Sequence, residues 1–215
     1  TYTIAAAPNL ENITLTDLNA INATGNAANN ILIGNNNNNV LTGAAGNDTL
    51  TGNDGNDTLA GGVGNDTMIG GAGDDIYNVG SAGDVITELA GGGTDTVIST
   101  ITYSLVPSLN LENLQLGGAT AINGTGNAAN NVLTGNSANN ILTGNGGNDT
   151  LFGGGGNDDL IGGVGADSLT GDAGADDFIY TAIGQSTVLA TGRDTITSFV
   201  SGTDRIDLSA IDADA

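Results

Sequence analysis

The chain repeats itself every nine residues, and a short fixed period decides architecture before any single residue does. From Gly43 the sequence reads GAAGNDTLT, GNDGNDTLA, GGVGNDTMI and GGAGDDIYN. Asp48, Asp57, Asp66 and Asp75 therefore share one phase, and Leu50, Leu59, Met68 and Tyr77 share another, two residues later. From Gly144 it reads GNGGNDTLF, GGGGNDDLI, GGVGADSLT and GDAGADDFI, with Asp149, Asp158, Asp167 and Asp176 in the acid phase and Leu151, Leu160, Leu169 and Phe178 in the apolar phase. Two looser copies precede each run, from Gly25 and from Gly126, in which Asn30, Asn39, Asn131 and Asn140 stand in place of the acid. A flexible Gly-Asn-Asp linker has no reason to keep an apolar residue two places after each acid, so register argues against disorder.

A longer repeat overlies the short one. TYTI at Thr1 matches TYSL at Thr102, LENI at Leu10 matches LENL at Leu111, and ATGNAANN from Ala23 matches GTGNAANN from Gly124, each at an offset of 101. The chain thus holds two copies of one module. The first copy begins partway in and the chain opens at Thr1 without Met, so a preceding segment is expected. The division read from these repeats is 1–24 as an N-terminal cap or partial module, 25–87 as a first roll, 88–125 as connecting strands, 126–179 as a second roll and 180–215 as a closing segment. In the connecting region, Val97 to Tyr103 and Leu111 to Leu116 alternate like short strands that continue or cap the solenoid.

One unit reads as a Gly-rich turn of six residues followed by a three-residue strand with a single inward side chain. Two units make one coil, and units two apart stack in parallel at ~4.8 Å, the spacing of neighbouring strands. Asp48 then lies over Asp66, Asp57 over Asp75, Asp149 over Asp167 and Asp158 over Asp176, on alternating edges. Carboxylates at that separation repel by about 0.9 kcal/mol in bulk water and by several times more at a shielded edge. A cation between coils removes the repulsion. Calcium suits carboxylate and carbonyl oxygens at a coordination of 6–8, whereas magnesium demands a stricter octahedron. The Asn copies read as structural units whose amides bond along the stack, with mixed sites pairing Asn30 with Asp48 or Asn39 with Asp57.

Composition agrees. Of 215 residues 37 are Gly, 24 are Asp or Glu, only 2 are Lys or Arg, and the formal net charge is -22. Such a surface cannot release counterions from phosphate or settle on an anionic leaflet, so neither nucleic acid nor direct membrane insertion is expected. With no Cys and no His, a zinc site of the usual kind and a disulfide framework are both excluded. No apolar run approaches the ~20 residues that cross a bilayer.

The unit seen most fully as Gly61-Gly62-Val63-Gly64-Asn65-Asp66-Thr67-Met68-Ile69 resembles the RTX calcium-binding nonapeptide. The resemblance covers residues 25–87 and 126–212. It implies an all-β chain folded as a right-handed parallel β-roll, a solenoid stabilised by several calcium ions, with two repeat blocks of the duplicated module. It implies carboxylate ligands at the eight acid-phase Asp, with Asp84 and Asp194 as candidates at the roll ends. It also implies carbonyl ligands at the second and fourth turn positions: Ala44, Gly46, Asn53, Gly55, Gly62, Gly64, Gly71 and Gly73 in the first block, and Asn145, Gly147, Gly154, Gly156, Gly163, Gly165, Asp172 and Gly174 in the second. Ala44, Asn53, Asn145 and Asp172 depart from the nominal Gly, which matters little if only their carbonyls are used. The stretch from Arg193 to Phe199 and from Gly202 to Ser209 resembles the segment that closes the roll in serralysin-type proteases and mannuronan epimerase modules. More chain, including a secretion signal, is then expected after Ala215. Both Arg lie in this stretch and are expected to pair with acids at the end of the ladder.

The function implied is a non-catalytic, calcium-dependent module of a bacterial protein, exported by type I secretion machinery and folding outside the cell to stabilise a larger extracellular protein. The alternatives are an adhesive or scaffolding cell-surface domain, or the C-terminal part of a secreted hydrolase or epimerase. Ice binding finds no ladder, since the third turn position reads Ala45, Asp54, Val63 and Ala72. An enzyme within this fragment is not expected: His, Cys and Lys are absent, and with them the usual triads and phosphate loops.

Overall fold

Thr-Leu-Thr and its variants carry one apolar side chain between two β-formers, a pattern that fits a strand buried on one face. The computed structural model describes residues 1–16, 19–106, 108–187 and 189–211. Positions 17 and 18 of the expected cap, 107 of the connecting strands, and 188 and 212–215 of the closing segment lie outside the described residues. The chain divides into two units, Thr1–Ile101 and Thr102–Ala215.

In the first unit the strands are β1 (Tyr2–Thr3), β2 (Asn12–Thr14), β3 (Ala23–Thr24), β4 (Ile31–Ile33), β5 (Val40–Ala45), β6 (Thr49–Asp54), β7 (Thr58–Val63), β8 (Thr67–Ala72), β9 (Ile76–Val79), β10 (Val85–Thr87) and β11 (Thr96–Ser99). Odd strands form one parallel sheet in the order β1-β3-β5-β7-β9-β11 and even strands another in the order β10-β8-β6-β4-β2. Leu32 pairs with Leu50 and Leu50 with Met68 in one sheet, while Leu41 pairs with Leu59 and Leu59 with Tyr77 in the other. Each step is two nonapeptides, which is the two-unit coil expected from the period.

The second unit repeats the plan with β12 (Tyr103–Ser104), β13 (Asn113–Leu116), β14 (Gly124–Thr125), β15 (Val132–Thr134), β16 (Ile141–Gly146), β17 (Thr150–Phe152), β18 (Asp159–Val164), β19 (Ser168–Thr170), β20 (Asp177–Ile179), β21 (Thr195–Thr197) and β22 (Arg205–Asp207). The strand pairs among the described residues are parallel, so the chain is an all-β roll. The first roll ends with β10 paired to β8, and the segment between the blocks supplies β11 to the first unit's sheet and β12 and β13 to the second's, pairing with β9, β14 and β15 respectively.

The core is a file of single side chains. Leu32, Leu41, Leu50, Leu59, Met68 and Tyr77, and in the second unit Leu133, Leu142, Leu151, Leu160 and Phe178, are fully buried at 0% exposure. Each removes about 1.5–3 kcal/mol worth of apolar surface from water. The division into three-residue strands and six-residue turns needs one correction. β5, β6, β7, β8, β16 and β18 each run six residues, because pairing resumes within the turn at Ala44 with Gly62, Asn53 with Gly71 and Asn145 with Gly163. Equal turns stacked on equal turns set each N–H beneath a carbonyl, so the ladder continues through the turn.

Candidate metal centre

Each acid-phase Asp lies beneath its own turn and is turned inward rather than out to an exposed edge. Asp48, Asp57, Asp66, Asp75, Asp149, Asp158, Asp167 and Asp176 are all at most 2% exposed. Stacking accounts for one of the two carboxylate oxygens. The backbone N–H of Asp48 donates to Asp66 Oδ1 at 2.8 Å, that of Asp57 to Asp75 Oδ1 at 2.7 Å, that of Asp149 to Asp167 Oδ1 at 2.8 Å and that of Asp158 to Asp176 Oδ1 at 2.9 Å. The first acid of each stack receives the N–H of an Asn, from Asn30 to Asp48, Asn39 to Asp57, Asn131 to Asp149 and Asn140 to Asp158.

The second oxygen is different. Oδ2 of all eight is buried and accepts no hydrogen bond from the described residues. A buried acceptor left in that state costs about 1–3 kcal/mol, and more when charged. These atoms do have close neighbours. The point where a Cβ on Gly43 would stand lies 2.2 Å from Asp48 Oδ2 and 2.6 Å from the carbonyl oxygen of Gly61, one coil on. The same pair recurs at Gly52 with Asp57 Oδ2 and Gly70 O, at Gly144 with Asp149 Oδ2 and Gly162 O, and at Gly153 with Asp158 Oδ2 and Gly171 O. Carboxylate and carbonyl oxygens thus converge on a space that only Gly leaves open, and such hard oxygen donors suit calcium.

The turn backbone changes with the acid. Every candidate carbonyl residue at the second and fourth positions, from Ala44 and Gly46 through Gly174, has positive φ, including the non-glycine Ala44 at 94°, Asn53 at 85°, Asn145 at 79° and Asp172 at 64°. In the Asn turns, by contrast, the second-position N–H donates to the Asn amide oxygen, from Asn26 to Asn30 Oδ1 at 2.7 Å and from Asn35 to Asn39 Oδ1 at 2.8 Å. The Asn amide is satisfied on its other side too, since Asn30 Nδ2 donates to Asn26 Oδ1 and Asn39 Nδ2 to the Ile21 carbonyl. These amides therefore bond to backbone and neighbouring side chains rather than to one another along the stack. Among the described residues, the buried side-chain oxygens left without a hydrogen bond all belong to Asp.

Burial pushes the carboxyl groups up, the stacked N–H partly opposes it, and at all of them but Asp57 neighbouring carboxylates add to the rise. Asp57 and Asp158 reach about 6, and Asp75 and Asp149 about 7. Asp48, Asp66, Asp167 and Asp176 shift the same way, also chiefly by desolvation.

At the roll ends Asp84 Oδ1 accepts from Asp66 N–H at 3.1 Å and Asp194 Oδ1 from Asp167 N–H at 3.0 Å. Asp84 Oδ2 is taken by the N–H groups of Gly80 and Ser81, whereas burial raises Asp194, with the Asp167 N–H and the Tyr180 hydroxyl opposing. Asp95 and Asp204 continue two further stacks, accepting the N–H of Asp75 and Asp176. Counting in nines misses both, because they stand 20 and 28 residues after those partners. The shared Asp-x-Ile-Thr and Thr-Asp pattern, at Asp84 and Thr94-Asp95 and again at Asp194 and Thr203-Asp204, carries their signal. Arg205 pairs with Asp177 at 2.5 Å on the exposed surface.

Four copies of the RTX calcium-binding nonapeptide repeat match residues 24–59, 51–86, 125–160 and 152–182. The chain belongs to that repeat family. A comparison with curated proteins finds no match. The RTX repeats make this roll a calcium-binding structural module, and its buried Asp-rich turns fit that ion.

Proposed function

We propose that this RTX chain is a calcium-dependent folding module of a larger extracellular protein, exported unfolded by a type I system. The observation that carries the reading is the set of buried Asp Oδ2 atoms without a hydrogen bond, of which those of Asp48, Asp57, Asp149 and Asp158 stand beside a carbonyl of the next coil. In this reading Asp48, Asp57, Asp66, Asp75, Asp149, Asp158, Asp167 and Asp176 supply the anionic oxygens. The positive-φ residues at the second and fourth turn positions supply carbonyls, and Gly61, Gly70, Gly162 and Gly171 add theirs. Asp194 serves the end of its stack, with Asp84 contributing what its turn leaves free.

When bound, calcium supplies the positive charge that the stacked carboxylates lack. The residues do the rest: Oδ1 holds the coil spacing through the N–H below it, and Oδ2 faces the ion. An unfolded chain has no preformed site, so binding energy and folding energy are one quantity. With a formal net charge of -22 and no ion to hold the turns, self-repulsion keeps the chain extended in a calcium-poor cell. Extracellular modules respond at ~10⁻⁴–10⁻³ M calcium.

Titrating calcium into chelator-stripped protein while recording far-UV circular dichroism tests the reading. A β spectrum that grows with calcium is expected at pH 7.5. A complete β spectrum in excess chelator would overturn it.

A further inference from the structure

The end of the first unit carries a cluster that the nonapeptide pattern does not contain. Asp75, Glu88 and Asp95 are all buried, and one carboxylate oxygen from each lies within 4.8 Å of the others. Glu88 falls outside the acid phase, in the stretch after β10. The Tyr77 hydroxyl, at the apolar phase, donates to Glu88 Oε2, and the Leu89 N–H donates to Glu88 Oε1 at 2.9 Å. Asp75 Oδ2 accepts no hydrogen bond, and it and the Tyr77 hydroxyl oxygen each lie 2.1 Å from the point where a Cβ on Gly70 would stand. The unsatisfied oxygen therefore stands beside the Tyr77 hydroxyl that holds Glu88.

The sequence of the first unit offers this cluster no basic side chain. The only Lys or Arg residues of the chain are Arg193 and Arg205, and the first unit, Thr1–Ile101, has neither. The second unit supplies a comparison. Val85 pairs with Thr67 as Thr195 pairs with Ser168, so the place of Glu88 is taken there by Ser198, and that of Tyr77 by Phe178. The hydroxyl and the extra carboxylate are present together in one unit and missing together in the other, which fits a pair that acts jointly.

We propose that Asp75, Glu88 and Asp95 form a three-carboxylate calcium site closing the first unit, with Tyr77 orienting Glu88 toward the ion. It rests on the calcium reading above and extends it to a donor set outside the repeat. Three carboxylates give this site more negative charge than the pair contributed by two stacked turns, and ligand charge sets affinity among oxygen sites. It fills before the repeat sites.

The test uses the intact chain in two parallel measurements, calorimetric titration with calcium chloride and terbium luminescence excited through tyrosine. Tyr180 sits beside Asp194, so the luminescence is read in a Tyr180→Phe background. Terbium emission that Tyr77→Phe abolishes, and that calcium displaces, is expected. Glu88→Gln is expected to lose the tightest calcium equivalent, or to weaken it about tenfold or more, while the calcium-induced β spectrum persists. Unchanged tight binding in Glu88→Gln, or emission indifferent to Tyr77→Phe, would overturn the site. If Asp158→Asn still loses a calcium equivalent in that case, the repeat sites stand and only this inference fails. Absence of any calcium response in the unmutated chain would remove both. Should Glu88→Gln not fold in calcium, the Tyr77→Phe luminescence decides.

Discussion

Gly62 and Ala44 occupy the same turn position one coil apart, both at positive φ, yet only one can carry a side chain freely. A Cβ on Gly62 would stand 2.1 Å from the Ala44 carbonyl oxygen, at a φ of 102°. Gly62→Ala is therefore expected to destabilise the first unit by about 2 kcal/mol or more, from the left-handed backbone and the clash together. A thermal melt in saturating calcium measures it, and a loss confined to a few tenths would show that the turn yields instead. Core residues obey a simpler rule. Leu151 is fully buried between Leu133 and Leu169 in its sheet. Leu151→Ala is expected to cost about 2–5 kcal/mol by the same melt, since a solenoid this thin has little to collapse into the cavity.

Within one element, the stack is the unit of binding. Asp57, Asp75 and Asp95 are linked in a chain in which each N–H donates to the next Oδ1, and Asp48, Asp66 and Asp84 form a separate chain. Asp57→Asn replaces an unsatisfied anionic oxygen with an amide of the kind already seen at Asn39. We expect calcium binding on that stack to weaken about tenfold or more, with the Asp48 stack largely unaffected. Calorimetric titration resolves the two, and equal loss on both would contradict the two-unit coil. This independence was legible from the period, because a step of two nonapeptides returns the chain to the same edge. The extra carboxylates were not. Asp95 and Asp204 lie beyond loops that break the count of nine, and only the paired strands place them on a stack, while Glu88 stands outside the phase and is brought to Asp75 and Asp95 by the fold.

For the whole molecule, the acid ladder links folding to both protons and calcium. Carboxyl groups held above their usual range favour the protonated folded state. In chelator, their contribution to stability is complete below about pH 4, the ordinary carboxyl range. It is lost as pH rises through about 6 for Asp57 and about 7 for Asp75 and Asp149. The calcium-free chain should therefore hold more β structure by circular dichroism at pH 5 than at pH 7.5, and calcium should reverse the order. Equal β content in chelator at both values would remove the desolvated carboxyls from the account. The sequence by itself determined the parallel roll, its two-unit coil, its file of inward apolar residues and the acid that recurs in each turn, since each follows from period and residue type alone. Tertiary stacking decided how that acid is used. Whether a carboxylate oxygen is satisfied depends on which N–H and which carbonyl the neighbouring coil sets against it, and those groups lie 18 or more residues away along the chain.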